Sequence, residues 1–138
     1  MQIAAIHHVS LTVTDLERSR TFYRDILSLP EISRPPFNFP GAWFQMGAAQ
    51  QLHLIVHPHS TFRNKPLDNR DLHFAVRVES FQATLDFLHG KGFREDAPAD
   101  DPFKMIVQPH ATAGFPQIYI LDPDRHVIEL NAEKLDRA

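Results

Sequence analysis

The chain of 138 residues matches itself when its first half is moved along its second half. A shift of 65 positions superimposes the openings of the two halves, where His8 falls on His73. A shift of 76 positions superimposes their ends, where His53 falls on Glu129. The difference of 11 residues is expected within residues 94–115 of the longer second half. Because a repeat of this length decides the architecture, we expect two copies of one structural unit.

Each copy opens with a predicted strand that is followed by a predicted helix. Residues 6–13 and 72–78 alternate between apolar and polar side chains, which is typical of half-buried strands. Asp15 or Thr14 is expected to cap the first helix, and Ser80 the second. The periodicity predicts about three further strands after the helix in each copy. Two βαβββ modules with helices on one face of the sheet predict an α+β fold.

We expect a single domain over residues 1–138, since typical domains contain about 100–150 residues. Within it, residues 1–57 are predicted to form the first βαβββ module and residues 71–138 the second. Residues 58–70 are the predicted linker, because prolines interrupt regular structure there.

Composition excludes several classes of protein. The chain has 9 histidines, no cysteine and a formal charge of −3. The absence of cysteine excludes a disulfide scaffold, a thiolate zinc site and a cysteine nucleophile. The charge argues against a nucleic-acid partner, which needs a basic face. No run approaches the ~18 apolar residues of a membrane helix, and residues 1–8 lack the features of a secretory signal, so we expect no membrane partner and a cytoplasmic location.

Four side chains that can bind a metal are predicted to share one face of the sheet. Side chains alternate along a strand, so His8 and His73 point away from the apolar face that the helices cover. His53 and Glu129 occupy equivalent points of the two closing strands. Imidazole and carboxylate without thiolate favour Zn²⁺, Ni²⁺, Fe²⁺, Co²⁺ or Mn²⁺. The sequence therefore predicts a divalent metal ion as cofactor at these four residues.

Three segments resemble the vicinal oxygen chelate superfamily, which includes glyoxalase I, methylmalonyl-CoA epimerase, extradiol dioxygenases and bleomycin resistance proteins. They are His7–Leu16 (HHVSLTVTDL), Leu72–Val76 (LHFAV) and Asp122–Leu130 (DPDRHVIEL). The resemblance implies two βαβββ modules that form a curved mixed sheet around a central metal cleft. It implies ligands from the first and last strands of each module, which are the same His8, His53, His73 and Glu129, and it implies a homodimer.

The chain departs from the pattern of this superfamily at two places. Glyoxalase I and the epimerase usually have Glu or Gln at the position of His53, so His53 is either a direct ligand or a nearby pocket residue. Glu129 is then the only carboxylate among the four and the candidate catalytic base. Arg125 and His126 stand where members often have Gly-Asn, a difference that we expect to be local to the turn.

Three functions are compatible with the resemblance. The first is a metal-dependent lyase or isomerase of glyoxalase type, which acts on a small substrate that chelates the metal through vicinal oxygens. The second is a non-haem Fe(II) dioxygenase of extradiol type with His8, His73 and Glu129 as ligands and His53 as an acid–base group. The sequence assigns no second histidine or tyrosine to that chemistry. The third is a non-catalytic protein that binds small molecules, as bleomycin resistance proteins do.

Overall fold

The chain forms two βαβββ units in the computed structural model, which describes residues 1–137. The first unit spans Met1–Phe62, and the second begins at Arg63. Each contains one four-stranded sheet in which parallel and antiparallel neighbours are mixed. The predicted α+β fold class is therefore confirmed, whereas the module limits 1–57, 58–70 and 71–138 remain a prediction.

The first unit contains four strands and one helix. The helix begins where it does because the Asp15 carboxylate accepts a hydrogen bond from the backbone N–H of Arg18 at 3.1 Å. The sheet order is β1-β4-β3-β2, with β1 parallel to β4 and the other pairs antiparallel. The elements are β1 (His8–Val13), α1 (Leu16–Asp25), β2 (Glu31–Ile32), β3 (Gly41–Met46) and β4 (Gln50–Val56).

The second unit repeats this order of elements. Its sheet order is β5-β8-β7-β6, with β5 parallel to β8 and the other pairs antiparallel. Ser80 caps the helix as predicted, since its hydroxyl accepts a hydrogen bond from the N–H of Ala83 at 3.0 Å. The same hydroxyl donates to the carboxylate of Asp136 at 2.6 Å. The elements are β5 (His73–Arg77), α2 (Phe81–Gly90), β6 (Ile106–Gln108), β7 (Gln117–Leu121) and β8 (Val127–Asn131).

The strand registers reproduce both shifts of the sequence repeat. His8 lies opposite Gln51 in the first unit, and His73 lies opposite Val127 in the second. These partners differ by the same 65 and 76 positions that superimpose the sequences. The repeat is therefore a repeat of backbone hydrogen bonding as well as of residue type.

The extra residues of the second unit lie between its helix and its second strand. Residues 91–105 join α2 to β6, whereas residues 26–30 suffice to join α1 to β2. Both units use an eight-residue connection, 33–40 and 109–116, to reach the next strand. Of the 11 inserted residues, 10 thus belong to the helix-to-strand connection, and the remaining one makes β6 longer than β2.

The opening strands are shorter than predicted. β1 begins at His8 and β5 at His73, so Ile6 and Leu72 precede the sheets and stay exposed, at 73% and 83%. The alternation of apolar residues extended into these positions, but the hydrogen-bonded ladders do not.

In each unit, one face of the sheet is apolar and buried. Tyr23 of α1 packs near Phe44 of β3, with ring centroids 6.3 Å apart, so α1 lies on this face of the first sheet. Side chains of the closing strands alternate, which places His53 and Glu129 on the opposite faces of their sheets. The buried residues of the apolar faces include Val13, Tyr23, Phe44, Leu52 and Leu54 in the first unit and Ile118, Ile120, Ile128 and Leu130 in the second.

Both helices in residues 1–137 contain ten residues, and neither has the length and apolar character needed to cross a membrane.

Candidate functional site

His8 and His53, two of the predicted ligands, stack on each other in the first unit. Their ring centroids are 4.1 Å apart and their planes differ by 20°. The parallel pairing of β1 and β4 places Ser10 opposite His53, so His8 lies two residues earlier on the same face. His53 is buried, whereas His8 is exposed.

The ring of His53 lies between two other rings. Trp43 stacks on it with centroids 4.0 Å apart and planes 3° apart, and β4 lies between the strands that carry Trp43 and His8. His53 Nε2 donates a hydrogen bond to Gln51 Oε1 at 2.8 Å, because an amide oxygen can only accept. Burial, and then the nearby charges of His8, His7 and Arg34, lower the pKa of His53. The structure therefore favours a neutral imidazole here.

The stacked arrangement limits what the first pair can bind. A metal ion lies about 2.0–2.1 Å from a histidine nitrogen and in the plane of the ring. Two nearly parallel rings in contact do not share such a point, so His8 and His53 cannot both bind one ion as they stand. His8 is exposed and can turn, at the cost of its 2.8 Å contact with His7 between the two Nδ1 atoms.

His73 and Glu129, the other two predicted ligands, face each other in the second unit. His73 Nε2 lies 3.4 Å from Glu129 Oε1. His73 Nδ1 donates to the backbone carbonyl of Asp71 at 2.7 Å, which places the proton on Nδ1. In the neutral ring, Nε2 then presents a lone pair to a carboxylate oxygen. Two acceptors at this distance are satisfied by a cation, and a carbonyl behind the ring is the usual partner of a metal-binding histidine. This pair fits a divalent ion.

Two side chains fix the Glu129 carboxylate, which is 5% exposed. The Tyr119 hydroxyl donates to Oε1 at 2.9 Å, and the Asn131 amide donates to Oε2 at 2.6 Å. Burial, together with this hydrogen bond to Glu129, raises the pKa of Tyr119 to about 12. Tyr119 therefore stays protonated near neutral pH and acts as a donor.

The loop before β5 orients His73. Arg63 Nη2 donates to Asp71 Oδ2 at 2.7 Å, and the N–H of Leu72 donates to Asp71 Oδ1 at 2.8 Å. Burial opposes the ionised form of Asp71, but these two donors outweigh it and lower the pKa of the carboxyl. The carbonyl that holds His73 Nδ1 thus belongs to a residue that is itself anchored.

Arg125 acts beyond its turn, so the expectation of a purely local difference was wrong. Its backbone has a φ of +66°, a conformation that usually selects glycine. Its guanidinium donates to the carbonyls of Lys65 at 3.0 Å and Asp100 at 2.6 Å. The side chain ties the β7–β8 turn to two other loops of the second unit, which glycine could not do.

The structure brings the four predicted residues together in pairs, His8 with His53 and His73 with Glu129. Within residues 1–137, no three His, Asp or Glu side chains form a group that could hold a metal ion. The described geometry therefore provides two pairs of donors.

Sequence reasoning missed several partners of these pairs, among them Trp43, Tyr119 and Asn131. Each had a detectable signal. The shift of 76 positions places Trp43 on Tyr119, and these residues lie directly opposite His53 and Glu129 on the neighbouring strands. Asn131 follows Glu129 by two positions and so shares its face.

Comparison with known proteins identifies the family. The model of the Glyoxalase/Bleomycin resistance protein/Dioxygenase superfamily matches residues 5–130, which is most of the chain. The chain belongs to this superfamily. The resemblance carried by the three sequence segments is thereby confirmed.

One relative in this superfamily is Glyoxylase I 4 from Arabidopsis thaliana. It is 25% identical over 133 residues, which cover 94% of this chain and 71% of the relative. The match therefore extends over nearly the whole chain.

Solved structures of the superfamily share the fold. A glyoxalase family protein from Bacillus anthracis has a TM-score of 0.76 at 23% identity, covering 97% of this chain and 98% of its own. Lactoylglutathione lyase from Agrobacterium tumefaciens has a TM-score of 0.66 at 18% identity, covering 96% of each chain. A single-residue mutant of the fosfomycin resistance protein FosX from Listeria monocytogenes, solved with Mn(II) and a dihydroxypropylphosphonic acid, has a TM-score of 0.70 at 19% identity, covering 97% of this chain and 95% of its own.

Proposed function

We propose that the chain is a divalent-metal-dependent enzyme of glyoxalase type, a lyase or isomerase whose small substrate presents two adjacent oxygens. The proposed ligands are His8, His53, His73 and Glu129, and the proposed ion is Zn²⁺, Ni²⁺, Fe²⁺, Co²⁺ or Mn²⁺. The observation that carries the proposal is the 3.4 Å approach of His73 Nε2 to Glu129 Oε1, with Nδ1 already bonded to a carbonyl. A bound ion would act as a Lewis acid on a substrate carbonyl.

Glu129 is the proposed catalytic base. Its carboxylate is buried and held by Tyr119 and Asn131, so its orientation is fixed before a substrate arrives. Tyr119, with a pKa of about 12, keeps its proton, which leaves Glu129 as the group that can accept one from the substrate. The other carboxylate near the pair, Asp71, is already engaged by Arg63.

Metal analysis of untagged protein tests the proposed site. We expect the wild type to bind one of these ions stoichiometrically, and His73→Ala to lose most of that binding. His59→Ala is the matched control, because His59 is an exposed histidine of the predicted linker. Unchanged metal content in His73→Ala would refute the site. Absence of metal that added Zn²⁺, Ni²⁺ or Fe²⁺ does not restore would favour the non-catalytic binding protein.

The name of one structural relative, lactoylglutathione lyase, suggests lactoylglutathione as a first compound to assay. With any substrate found, Glu129→Gln should lower kcat by about 10²–10⁴-fold, the usual contribution of a positioned general base. A variant that keeps wild-type kcat would remove Glu129 from the catalytic role.

A second candidate function, a non-haem Fe(II) dioxygenase of extradiol type, is favoured by the position of His53. That ring is stacked between Trp43 and His8, which suits an acid–base group better than a ligand. His8, His73 and Glu129 would then supply the facial set of ligands. Oxygen uptake on catechols by the Fe²⁺-loaded protein would favour this function, and lyase or isomerase activity without oxygen uptake would exclude it.

A homodimer in the cytoplasm, built from one domain with the module limits given above, completes the proposal. The dimer rests on the family resemblance. Size-exclusion chromatography at micromolar concentration should give a dimer, and a monomer would contradict it.

A further inference from the structure

A cationic side chain lies on the same sheet face as His73 and Glu129. Arg77 ends β5 and lies opposite Asn131, so it follows His73 by four residues and shares its face. Along the strands, this places it about 13 Å from the level of His73 and about 7 Å from that of Glu129. Ala75 lies between His73 and Arg77 on this face of β5; it is exposed, and its side chain is only a methyl group.

The guanidinium of Arg77 is held by neutral groups only. Its Nε donates to Asn131 Oδ1 at 2.6 Å, and its Cζ lies 5.2 Å from the centroid of the Phe115 ring. None of the ion pairs found within residues 1–137 includes Arg77. The side chain is therefore oriented without being neutralised, and Arg77 is exposed.

Asn131 separates the positive charge of Arg77 from the negative charge of Glu129. Its oxygen accepts from Arg77 while its nitrogen donates to Glu129 Oε2. A direct Arg–Glu pair would satisfy both charges internally. The amide links them in one network but leaves the guanidinium free to bind an external anion.

We propose that Arg77 binds an anionic group of the substrate, a carboxylate or a phosphonate. The two Nη atoms can donate hydrogen bonds to both oxygens of such a group, and the short side chain of Ala75 leaves the floor between His73 and Arg77 open. This proposal rests on the proposed function in one respect: the other end of the substrate is held at His73 and Glu129. The substrate class is then a small acid whose vicinal oxygens lie several ångströms from its anionic group.

Side-chain NMR of the metal-free protein tests the anion site separately from the metal site. Methylphosphonate and acetate distinguish the two anionic groups, and acetamide is the neutral probe. We expect at least one of the anions, and not acetamide, to shift the Arg77 Nε–H signal with saturation. The affinity, followed at the backbone amides of β5 and β8, should fall at least tenfold in Arg77→Gln and less in Arg77→Lys, which keeps the charge without the planar fork.

Arg70→Gln is the matched control, since it removes the same charge from an exposed position of the same unit. It should leave the affinity unchanged. Equal affinity in Arg77→Gln and the wild type, or equal losses in Arg77→Gln and Arg70→Gln, would overturn the proposal. Thermal melting verifies that Arg77→Gln is folded, and Arg77→Lys serves if it is not. Metal content measured on the same samples reports on the proposed function, so its failure remains distinguishable from failure of the anion site.

Discussion

The two units have the same strand register, but different side chains occupy the equivalent positions. In the first unit His53 is stacked between the rings of His8 and Trp43. In the second unit Glu129, at the equivalent position, accepts hydrogen bonds from Tyr119 and Asn131. The equivalent pairs are His8 and His73, His53 and Glu129, and Trp43 and Tyr119.

This difference separates backbone architecture from site chemistry. Ring stacking tolerates sliding and rotation, because dispersion and quadrupole forces depend weakly on direction. A carboxylate that accepts a hydrogen bond at each oxygen is fixed in one orientation. If the carboxylate is removed, each of the two donors stays buried without a partner. We therefore infer that the first pair can rearrange on ligand binding, whereas the second is organised in advance.

The largest effect should come from placing leucine at the two equivalent central positions. Glu129→Leu leaves the Tyr119 hydroxyl and the Asn131 amide unpaired, so we expect it to lower the free energy of unfolding by about 3 kcal/mol. His53→Leu loses stacking and one hydrogen bond to Gln51 and should cost about 1 kcal/mol. Urea denaturation of the metal-free protein measures both. Equal costs would show that the two positions are held equally firmly.

A smaller effect should distinguish the residues opposite these positions. Tyr119→Phe removes only the hydroxyl that donates to Glu129, and a hydrogen bond to a charged group contributes about 1.5–3 kcal/mol. Trp43→Phe keeps a ring beside His53 and should cost about 1 kcal/mol of stacking and buried surface. Chemical denaturation again gives the measurement, and a larger cost for Trp43→Phe would reverse the comparison.

Substitutions in the β3–β4 turn and in the β7–β8 turn should lower the stability of the protein for opposite reasons. Gly47, in the β3–β4 turn, has a φ of +77°, so Gly47→Ala should cost about 1 kcal/mol in backbone strain. Arg125→Gly relieves a similar strain but loses the hydrogen bonds to Lys65 and Asp100, for a net cost of about 1 kcal/mol. Thermal unfolding tests both variants. A more stable Arg125→Gly would mean that these hydrogen bonds stabilise the protein by less than the backbone strain destabilises it.

The smallest effect concerns the two helix caps. Asp15 caps α1 directly, whereas Ser80 caps α2 with Asp136 behind it. The hydroxyl of Ser80 and the N–H of Gln82 lower the pKa of Asp136 below its ordinary value of about 3.9. The ionised carboxylate therefore stabilises the fold above that value, and this contribution is lost as pH falls through the lower folded-state pKa.

Asp136→Asn should accordingly lower the Tm at pH 7 and leave it unchanged in strong acid. The change in unfolding temperature across pH measures this, with Asp96→Asn, an exposed carboxylate of the same unit, as control. A difference between wild type and Asp136→Asn that persists below the folded-state pKa would contradict the electrostatic explanation.

Much of the architecture could be predicted because side-chain periodicity and the two shifts act together. Alternation in residues 6–13 and 72–78 identified the opening strands and the faces of His8 and His73. The capping role of Ser80 also followed from local chemistry, since a short acceptor precedes an apolar stripe, whereas the first cap was left open between Asp15 and Thr14 until the structure identified Asp15.

The rest depended on contacts between distant residues. Whether His8 and His53 converge or stack depends on side-chain rotation, which alternation does not specify. The reach of Arg125 to Lys65 and Asp100 depends on where two irregular loops pass. Tyr119 was overlooked because a tyrosine in an apolar strand is expected in the core, and only the register places it opposite Glu129.

Trp43 is the only tryptophan of the chain, and it lies face to face with His53. Fluorescence excited selectively in tryptophan therefore comes from Trp43, which is in contact with one of the proposed ligands, His53. A charged or displaced imidazole changes the electrostatic surroundings of that ring. The unlabelled protein thus carries its own fluorescent reporter for the first unit, and titrations of metals or acids can be followed there by intensity and wavelength of emission.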